Sequence, residues 1–180
     1  MPFTFVSGDL ALDFAGTVKY RDTAAEETLR SPGRLGEWCV DAGVVDSAPP
    51  VSESEFARAL AVREAIYRLA RAEVTGGRRQ QADIDVVNAA AAAAPVRLTL
   101  TRDGLRKSGT AGAVTATIAR TAAGLLGGPQ ASRIRECGDP PCTRLFLDTS
   151  RSGSRRWCDM TGCGNRAKVA GFRARRSAGS

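Results

Sequence analysis

Residues 135–176 read RECGDPPCTRLFLDTSRSGSRRWCDMTGCGNRAKVAGFRARR and contain four of the five cysteines of the chain. The cysteines form two pairs, Cys137-x4-Cys142 and Cys158-x4-Cys163, which are separated by fifteen residues. A short gap inside each pair and a hairpin-length gap between the pairs are typical of a tetrahedral thiolate site. A gap of four residues is less specific than a gap of two, but four unrelated buried thiols would not be paired so evenly. The sequence therefore predicts one structural Zn²⁺ ion held by these four cysteines.

Such a site has no catalytic role of its own. Four thiolates fill the tetrahedral shell of zinc and leave no position for a water molecule. The metal instead supplies the folding energy of a module that is too small for a hydrophobic core.

The residues between the cysteines predict a small zinc finger. The segment from Cys137 to Cys142 is rich in turn formers, Leu145-Phe146-Leu147 reads as a strand, and residues 155–157 read as a returning strand. Cys163 then opens a helix that we expect to run to about Arg176. Turn, hairpin, turn and helix together give a treble-clef-like or ββα finger over residues 135–180.

The positive charge of the chain is concentrated in the same segment. The chain has 26 basic and 19 acidic residues, a net charge of +7. Residues 133–176 contain eleven basic and four acidic residues, whereas residues 1–132 contain fifteen of each. A basic surface confined to one module indicates a polyanionic partner, and we expect double-stranded DNA. The alternative is a solvated tail that is basic for solubility.

The basic residues divide into two expected roles. Arg151, Arg155 and Arg156 are expected to follow phosphates. Asn165 and Arg166 are expected to read base edges, because Arg pairs bidentately with guanine and Asn with adenine. The full set of expected DNA contacts is Arg151, Arg155, Arg156, Asn165, Arg166, Lys168, Arg173, Arg175 and Arg176.

Each base-reading residue also has a structural alternative. Asn165 could only cap the metal turn, and Arg166 could pair with Asp148 or Asp159. Val169 and Phe172 could dock part of the helix on the N-terminal domain.

Composition excludes several other classes. The chain has no histidine, which removes Ser-His-Asp and Cys-His catalysis and every imidazole zinc site. The sequence MPFTFVSGDLALDF lacks a basic region followed by a long apolar run, so we expect no signal peptide. No stretch reaches the roughly 18 apolar residues of a membrane span. The odd cysteine count also argues against a disulfide scaffold, and Cys39 reads as a small buried hydrophobe.

Residues 1–127 predict a mainly helical α+β domain with a small antiparallel sheet. Residues 3–6 are compatible with a strand, and helices are expected near 10–14, 32–42, 53–75, 80–94 and 110–126. Ser52 and Glu55 form a capping box for the third of these helices. Residues 96–101 alternate as a strand, and Arg102-Asp103-Gly104 is a hairpin turn. The Gly127-Gly128-Pro129 sequence marks the best boundary, with a linker over residues 128–134.

Arg63 falls within the apolar stripe of the 53–75 helix, which comprises Phe56, Leu60, Ile66, Tyr67, Ala70 and Val74. A buried guanidinium needs an anionic partner. Arg63 therefore either binds an anionic effector, with Asp13 as a second candidate ligand residue, or forms a structural ion pair, with Asp13 as the candidate partner. Glu64 is expected on the outer face of this helix, paired with Arg68.

The C-terminal segment resembles the CGNR zinc-finger family. The resemblance rests on the four cysteines, on Leu145-Phe146-Leu147-Asp148, on Arg155-Arg156-Trp157 and on Cys163-Gly164-Asn165-Arg166. The N-terminal region is similar to the ABATE domain of stress-induced transcription regulators, through residues 10–14 (LALDF) and 63–67 (REAIY). The family usually has Leu-Asp-Phe-x-Asn-Thr near the start, whereas this chain has Gly16 at the position of that Asn.

The resemblance implies a bacterial DNA-binding regulator with a zinc-held finger and an N-terminal domain that senses a ligand. We therefore expect a zinc-dependent transcriptional regulator that is cytoplasmic, not an enzyme, and nucleoid-associated when bound to DNA. A homodimer is plausible because one short finger offers little surface for a specific site. The alternative function is a zinc-braced protein-interaction or RNA-binding module. An N-terminal enzyme ranks last, since it would rest on Arg63 and Asp13 alone.

Overall fold

The computed structural model describes residues 3–177, with side chains described as far as Phe172. The helices are α1 (Leu10–Ala15), α2 (Pro32–Asp41), α3 (Glu53–Thr75), α4 (Gln81–Ala91), α5 (Ala111–Gly127) and α6 (Asn165–Ser177). The strands are β1 (Val18–Lys19), β2 (Glu26–Glu27), β3 (Arg97–Thr101), β4 (Gly104–Ser108), β5 (Ile134–Glu136) and β6 (Leu145–Leu147). A 3₁₀ turn covers Ala131–Arg133, and a π turn covers Met160–Gly164. The fold is mainly helical α+β with small antiparallel sheets, as the sequence predicts.

Local capping signals in the sequence set the helix starts. The Ser52 side chain accepts from the backbone N–H of Glu55, and the Glu55 carboxylate accepts from the backbone N–H of Ser52, which confirms the capping box. The Ser31 side chain caps α2 by accepting from the backbone N–H of Arg34, and Pro32 is the first residue of the helix. Gly76, at φ 66°, ends α3 in the left-handed conformation that glycine adopts at little cost. Within residues 3–177, no helix is long and apolar enough to cross a membrane.

Helix α3 is the centre of the hydrophobic core. It packs against α1, α2, α4 and α5 and against the β5–β6 pair. Ile66, Tyr67 and Ala70 of the predicted stripe are buried, but so are residues on other sides of the helix, among them Val62 and Leu69. The apolar surface is therefore wider than the predicted stripe, because neighbouring elements surround the helix.

The strands form three separate antiparallel hairpins, β1–β2, β3–β4 and β5–β6. The β3–β4 hairpin confirms the prediction from residues 96–104. Two strand predictions are wrong. Residues 3–6 form no strand, and residues 155–157 do not return along β6. Strand β6 pairs instead with β5, which precedes the first cysteine, with Ile134 opposite Leu147.

Strand β6 separates the main core from the cysteine cluster. Leu145 and Leu147 pack into the main core, whereas Phe146 packs against Cys137, Cys158 and Cys163. Alternate residues of a strand point to opposite faces, so three consecutive apolar residues serve both sides. The two parts of the chain therefore share one strand as a wall.

A buried ion network ties α3 to the β1–β2 hairpin. The Arg63 guanidinium donates to both carboxylate oxygens of Glu27, at 2.8 and 2.7 Å, and to Glu64 at 2.9 Å. Glu64 also pairs with Arg21. The predicted Arg63–Asp13 pair is wrong, since the Asp13 carboxylate accepts from backbone N–H groups of residues 6 and 7.

The predicted Glu64–Arg68 pair is also wrong, because Arg68 bonds to Asp83 of α4. In both cases a carboxylate from another element bonds to the arginine, Glu27 of β2 to Arg63 and Asp83 of α4 to Arg68. The periodicity of α3 does not show which element supplies that carboxylate.

Replacing Arg63 by Met should destabilise the protein by about 2–3 kcal/mol, because it leaves Glu27 and Glu64 without their shared buried cation. Arg71→Met is the matched control. It removes an exposed pair with Asp22, which should contribute less than about 1 kcal/mol. Urea unfolding followed by circular dichroism measures both. Equal losses in the two variants would contradict the structural role of Arg63.

Candidate metal centre

The four predicted cysteine ligands meet at one point. The sulfurs of Cys137, Cys142, Cys158 and Cys163 all lie within 4.8 Å of one another. The Cys142–Cys158 sulfur distance is 3.8 Å and the Cys158–Cys163 distance is 3.6 Å. A regular tetrahedron with Zn–S bonds of about 2.3 Å has edges of about 3.8 Å. The sulfur positions therefore match a tetrahedral zinc shell.

The first turn is closed by backbone bonds around its two cysteines. The Cys142 amide donates to the Asp139 carbonyl at 2.8 Å, and the Cys137 amide donates to the Arg144 carbonyl at 3.0 Å. The Cys158 amide donates to the Cys137 sulfur at 3.4 Å, which links this turn to the second. Backbone N–H groups aimed at sulfur favour the thiolate form, the form that binds metal.

The second turn depends on Asp159. Its carboxylate accepts from the backbone N–H groups of Thr161 and Gly162, and its carbonyl accepts from that of Gly164. A Cβ at Gly162 would lie 2.9 Å from the Asp159 carboxylate, so a side chain there would displace the cap. The π turn places Cys163, and α6 begins two residues later. The helix thus starts at Asn165, not at Cys163 as predicted.

The cluster can hold four thiolates only around a cation. Hydrogen bonds from Cys142 and Cys158 lower the pKa of Cys137, whereas its contacts with Cys137 and Cys142 raise the pKa of Cys158. Thiols this close cannot all ionise together without a positive charge between them. A divalent ion that prefers sulfur supplies that charge, so the donor set fits a single structural zinc.

Arg166 clamps the two turns together. Its guanidinium donates to the Asp139 carboxylate at 2.9 Å and to the Cys163 sulfur at 3.0 Å. Asp139 is buried between the first two ligands. The predicted alternatives, Asp148 and Asp159, are wrong as partners, because both carboxylates cap turns of their own. The position of Asp139 between Cys137 and Cys142 is the signal in the sequence that could have indicated this partner.

Comparison with known families agrees with this architecture. A family model described as "Putative stress-induced transcription regulator", ABATE, matches residues 8–129. The chain belongs to the ABATE family. The CGNR zinc-finger model matches residues 133–176, which contain all four ligands. A search of curated proteins found no match. The comparisons confirm the order of ABATE domain and CGNR finger that the sequence indicated.

The predicted DNA contacts of the CGNR finger fall into three groups. Arg151, Arg156, Asn165 and Lys168 are exposed, with Arg156 stacked on the Trp157 ring. Arg155 and Arg166 are held by internal contacts. Arg173, Arg175 and Arg176 lie outside the residues whose side chains are described.

Arg155 joins the finger to the ABATE domain. Its guanidinium donates to the Val6 carbonyl at 2.8 Å and to the Trp157 carbonyl at 3.0 Å, and it stacks over the Phe146 ring. The Leu147 amide of the same wall donates to the Ser7 carbonyl at 2.7 Å. The N-terminal segment thus lies along the finger, a contact that no local sequence signal indicated.

The two candidate ligand residues of the ABATE domain, Asp13 and Arg63, do not meet. Each has its own internal partners, as described above. A separate cleft of about 470 Å³ lies between α3, α4 and α5. Small and apolar side chains line most of it, including Val62, Val86, Ala90 and Ala116. Sequence reasoning missed this cleft, because alanines at helix contacts give no motif.

Cys158→Ser should lower the zinc content from one ion per chain to near zero and unfold the C-terminal module, since a hydroxyl is a poor zinc ligand at neutral pH. The matched control is Cys39→Ala. Burial raises the pKa of Cys39 to about 12, so this thiol is neutral and lies in the main core. The control should keep its zinc. Atomic absorption gives the metal content, and ¹H–¹⁵N NMR spectra report the fold of the C-terminal module. Full zinc content in Cys158→Ser would contradict the site.

Proposed function

We propose that this protein is a zinc-dependent transcriptional regulator that binds double-stranded DNA through its CGNR finger. The observation that carries the proposal is the first turn of α6, where Asn165 and Lys168 are exposed beside the metal centre. The metal turn fixes the direction of this helix. A rigid helix start with Asn and Lys on its surface suits contact with base edges and phosphates.

The outward charge of the finger supports a polyanionic partner. Three of its four acidic residues, Asp139, Asp148 and Asp159, point their carboxylates into internal hydrogen bonds. Arg151, Arg156 and Lys168 remain exposed. The side chains that remain exposed on this part of the finger are therefore mainly basic. Such a surface attracts DNA and makes binding depend on salt.

The internal contacts change the roles that we assign to two arginines. Arg166 braces the metal centre through Asp139 and Cys163, and Arg155 anchors the finger to Val6. We therefore propose that both act by positioning α6. Base reading then falls to Asn165, and phosphate contact to Arg151, Arg156 and Lys168.

We further propose that the ABATE domain responds to a small molecule. Its cleft between α3, α4 and α5 has the volume of a small-ligand site and mostly apolar walls. This cleft replaces Asp13 and Arg63 as the place for an effector. The protein would act in the reducing cytoplasm, where four thiols stay available for zinc.

A protein-interaction role is the second candidate. Met160, Val169 and Phe172 are exposed apolar residues in or next to α6. Apolar side chains beside the basic ones suit a protein partner better than phosphates. Binding that is insensitive to salt and survives nuclease treatment would favour this candidate.

Lys168→Ala should weaken binding to all duplexes equally and reduce the slope of log K against log salt by about 0.9, the value for one lost phosphate contact. The control is Arg78→Ala, an exposed cation after α3, which should change neither quantity. Fluorescence anisotropy across a salt series measures both. The same slope in Lys168→Ala and in the unmodified protein would remove Lys168 from the interface.

Asn165→Ala should instead relax sequence preference, with about 1–3 kcal/mol lost on the preferred site and little on random DNA. The preferred site comes from selection out of random duplexes with the zinc-loaded protein. Equal weakening on both kinds of DNA would contradict base reading by Asn165.

A further inference from the structure

The β3–β4 hairpin carries an uncovered leucine face. Leu98, Leu100 and Leu105 are 63%, 85% and 51% exposed. Leu98 and Leu100 alternate in β3, and Leu105 lies directly opposite Leu100, so all three share one face. Three large apolar side chains together on an exposed face mark a contact surface more than chance exposure.

The outer edge of β3 is equally uncovered. Strand β4 is tied to the loop before α3, where the Asp46 amide donates to the Lys107 carbonyl at 3.0 Å. Within residues 3–177, β3 pairs with no strand other than β4. Exposed edges are usually protected by charged side chains, proline or a bulge. Strand β3 has one charged residue, Arg97 at its start, and no lysine, proline or bulge. An isolated two-stranded hairpin is also only marginally stable. The edge therefore has the features of a strand that gains a partner.

The sequence of β3 is self-complementary. Its centre, Leu98-Thr99-Leu100, reads the same in both directions. When two copies pair antiparallel about Thr99, Leu98 of each faces Leu100 of the other. Thr99 then faces its own copy, and Arg97 faces Thr101, so no like charges oppose each other. A two-fold axis centred on Leu98 or Leu100 would match only one leucine pair.

We propose that two copies of this chain associate by antiparallel pairing of β3 with β3. The result is a four-stranded sheet in the order β4-β3-β3-β4, with six leucines on one face. Cross-strand leucine and threonine pairs stabilise such a sheet. Pairing of two five-residue strands gives a small interface, so we expect the dimer to dissociate reversibly, with a dissociation constant on the order of micromolar.

The dimer would give the DNA-binding function its symmetry. Two fingers related by a two-fold axis match two half-sites of a palindromic operator. This consequence rests on the proposed function, whereas the dimer itself does not. Sedimentation without DNA therefore tests the interface independently.

Sedimentation equilibrium of the full zinc-loaded chain should show a monomer–dimer equilibrium. Leu100→Lys should raise the dissociation constant at least about ten-fold, because two lysines would enter the leucine face. Its side chain is 85% exposed in the single chain, so zinc content and circular dichroism should stay unchanged. A wild-type protein that is monomeric at high micromolar concentration would overturn the proposal, as would an unchanged constant in Leu100→Lys.

Val86→Lys is the matched control. It tests the alternative dimer in which the leucines of one copy dock in the cleft between α3, α4 and α5 of the other. Val86 is also a partly exposed apolar residue, but it lines the cleft between α3, α4 and α5. The β3–β3 dimer should not change in this variant. Dissociation of the dimer by Val86→Lys would place the hairpin in the cleft of the second copy and overturn strand pairing.

Cross-linking tests the register. Residues directly opposite in an antiparallel pair have Cβ atoms about 4.5–5.5 Å apart, close to the separation in a disulfide. In a Cys39→Ala background, Thr99→Cys should form a covalent dimer under mild oxidation, since Thr99 faces its own copy. Thr101→Cys should cross-link far more slowly, because it faces Arg97. Equal rates on a non-reducing gel would overturn pairing about Thr99.

Discussion

The convergence of four sulfurs on one point is the constraint on which the C-terminal quarter of the molecule depends. Among the side chains that the structure describes, the buried cluster there consists of Phe146 and three of the cysteines, with Val6, Cys142 and Trp157 partly buried around them. So small a cluster cannot offset the conformational entropy of forty residues. Zinc binding supplies the folding free energy that the apolar contacts lack, and each turn directs two thiols toward the metal. The direction of α6, and with it any surface offered to DNA, follows from that site.

The finger nevertheless does not stand alone. Leu145 and Leu147 belong to the main core, and Ile134, opposite Leu147 in β5, is buried with them. Loss of the metal should therefore also disturb strand β6, which packs against the core of the ABATE domain. This shared strand explains why a linker is hard to place from sequence. Glycine and proline at 127–129 mark the end of helix α5, while the apolar packing continues beyond them with Ile134.

Features encoded over a few residues were predictable, and those set by distant contacts were not. The cysteine spacing, the Ser52–Glu55 capping box and the β3–β4 turn each follow from local chemistry, and the structure contains all three. The partners of Arg63 and Arg166 were wrong because Glu27 and Asp139 are 36 and 27 residues away along the chain. The periodicity of a helix indicates that a guanidinium is buried. It does not indicate which carboxylate of the rest of the chain will pair with it. The same limit applies to β6, whose partner strand precedes the cysteines.

The Leu-Asp-Phe sequence of α1 gains a physical meaning from the segment before it. The Asp13 carboxylate accepts the amides of Val6 and Ser7 at 3.0 and 2.9 Å. The carbonyls of the same two residues accept from Arg155 and from the Leu147 amide of the finger. Two residues thus face α1 with their N–H groups and the metal module with their C=O groups. Because backbone groups buried between two elements need both partners, a shift of α1 cannot leave the finger unchanged. Asp13 is therefore better understood as the anchor between the two domains than as a ligand contact.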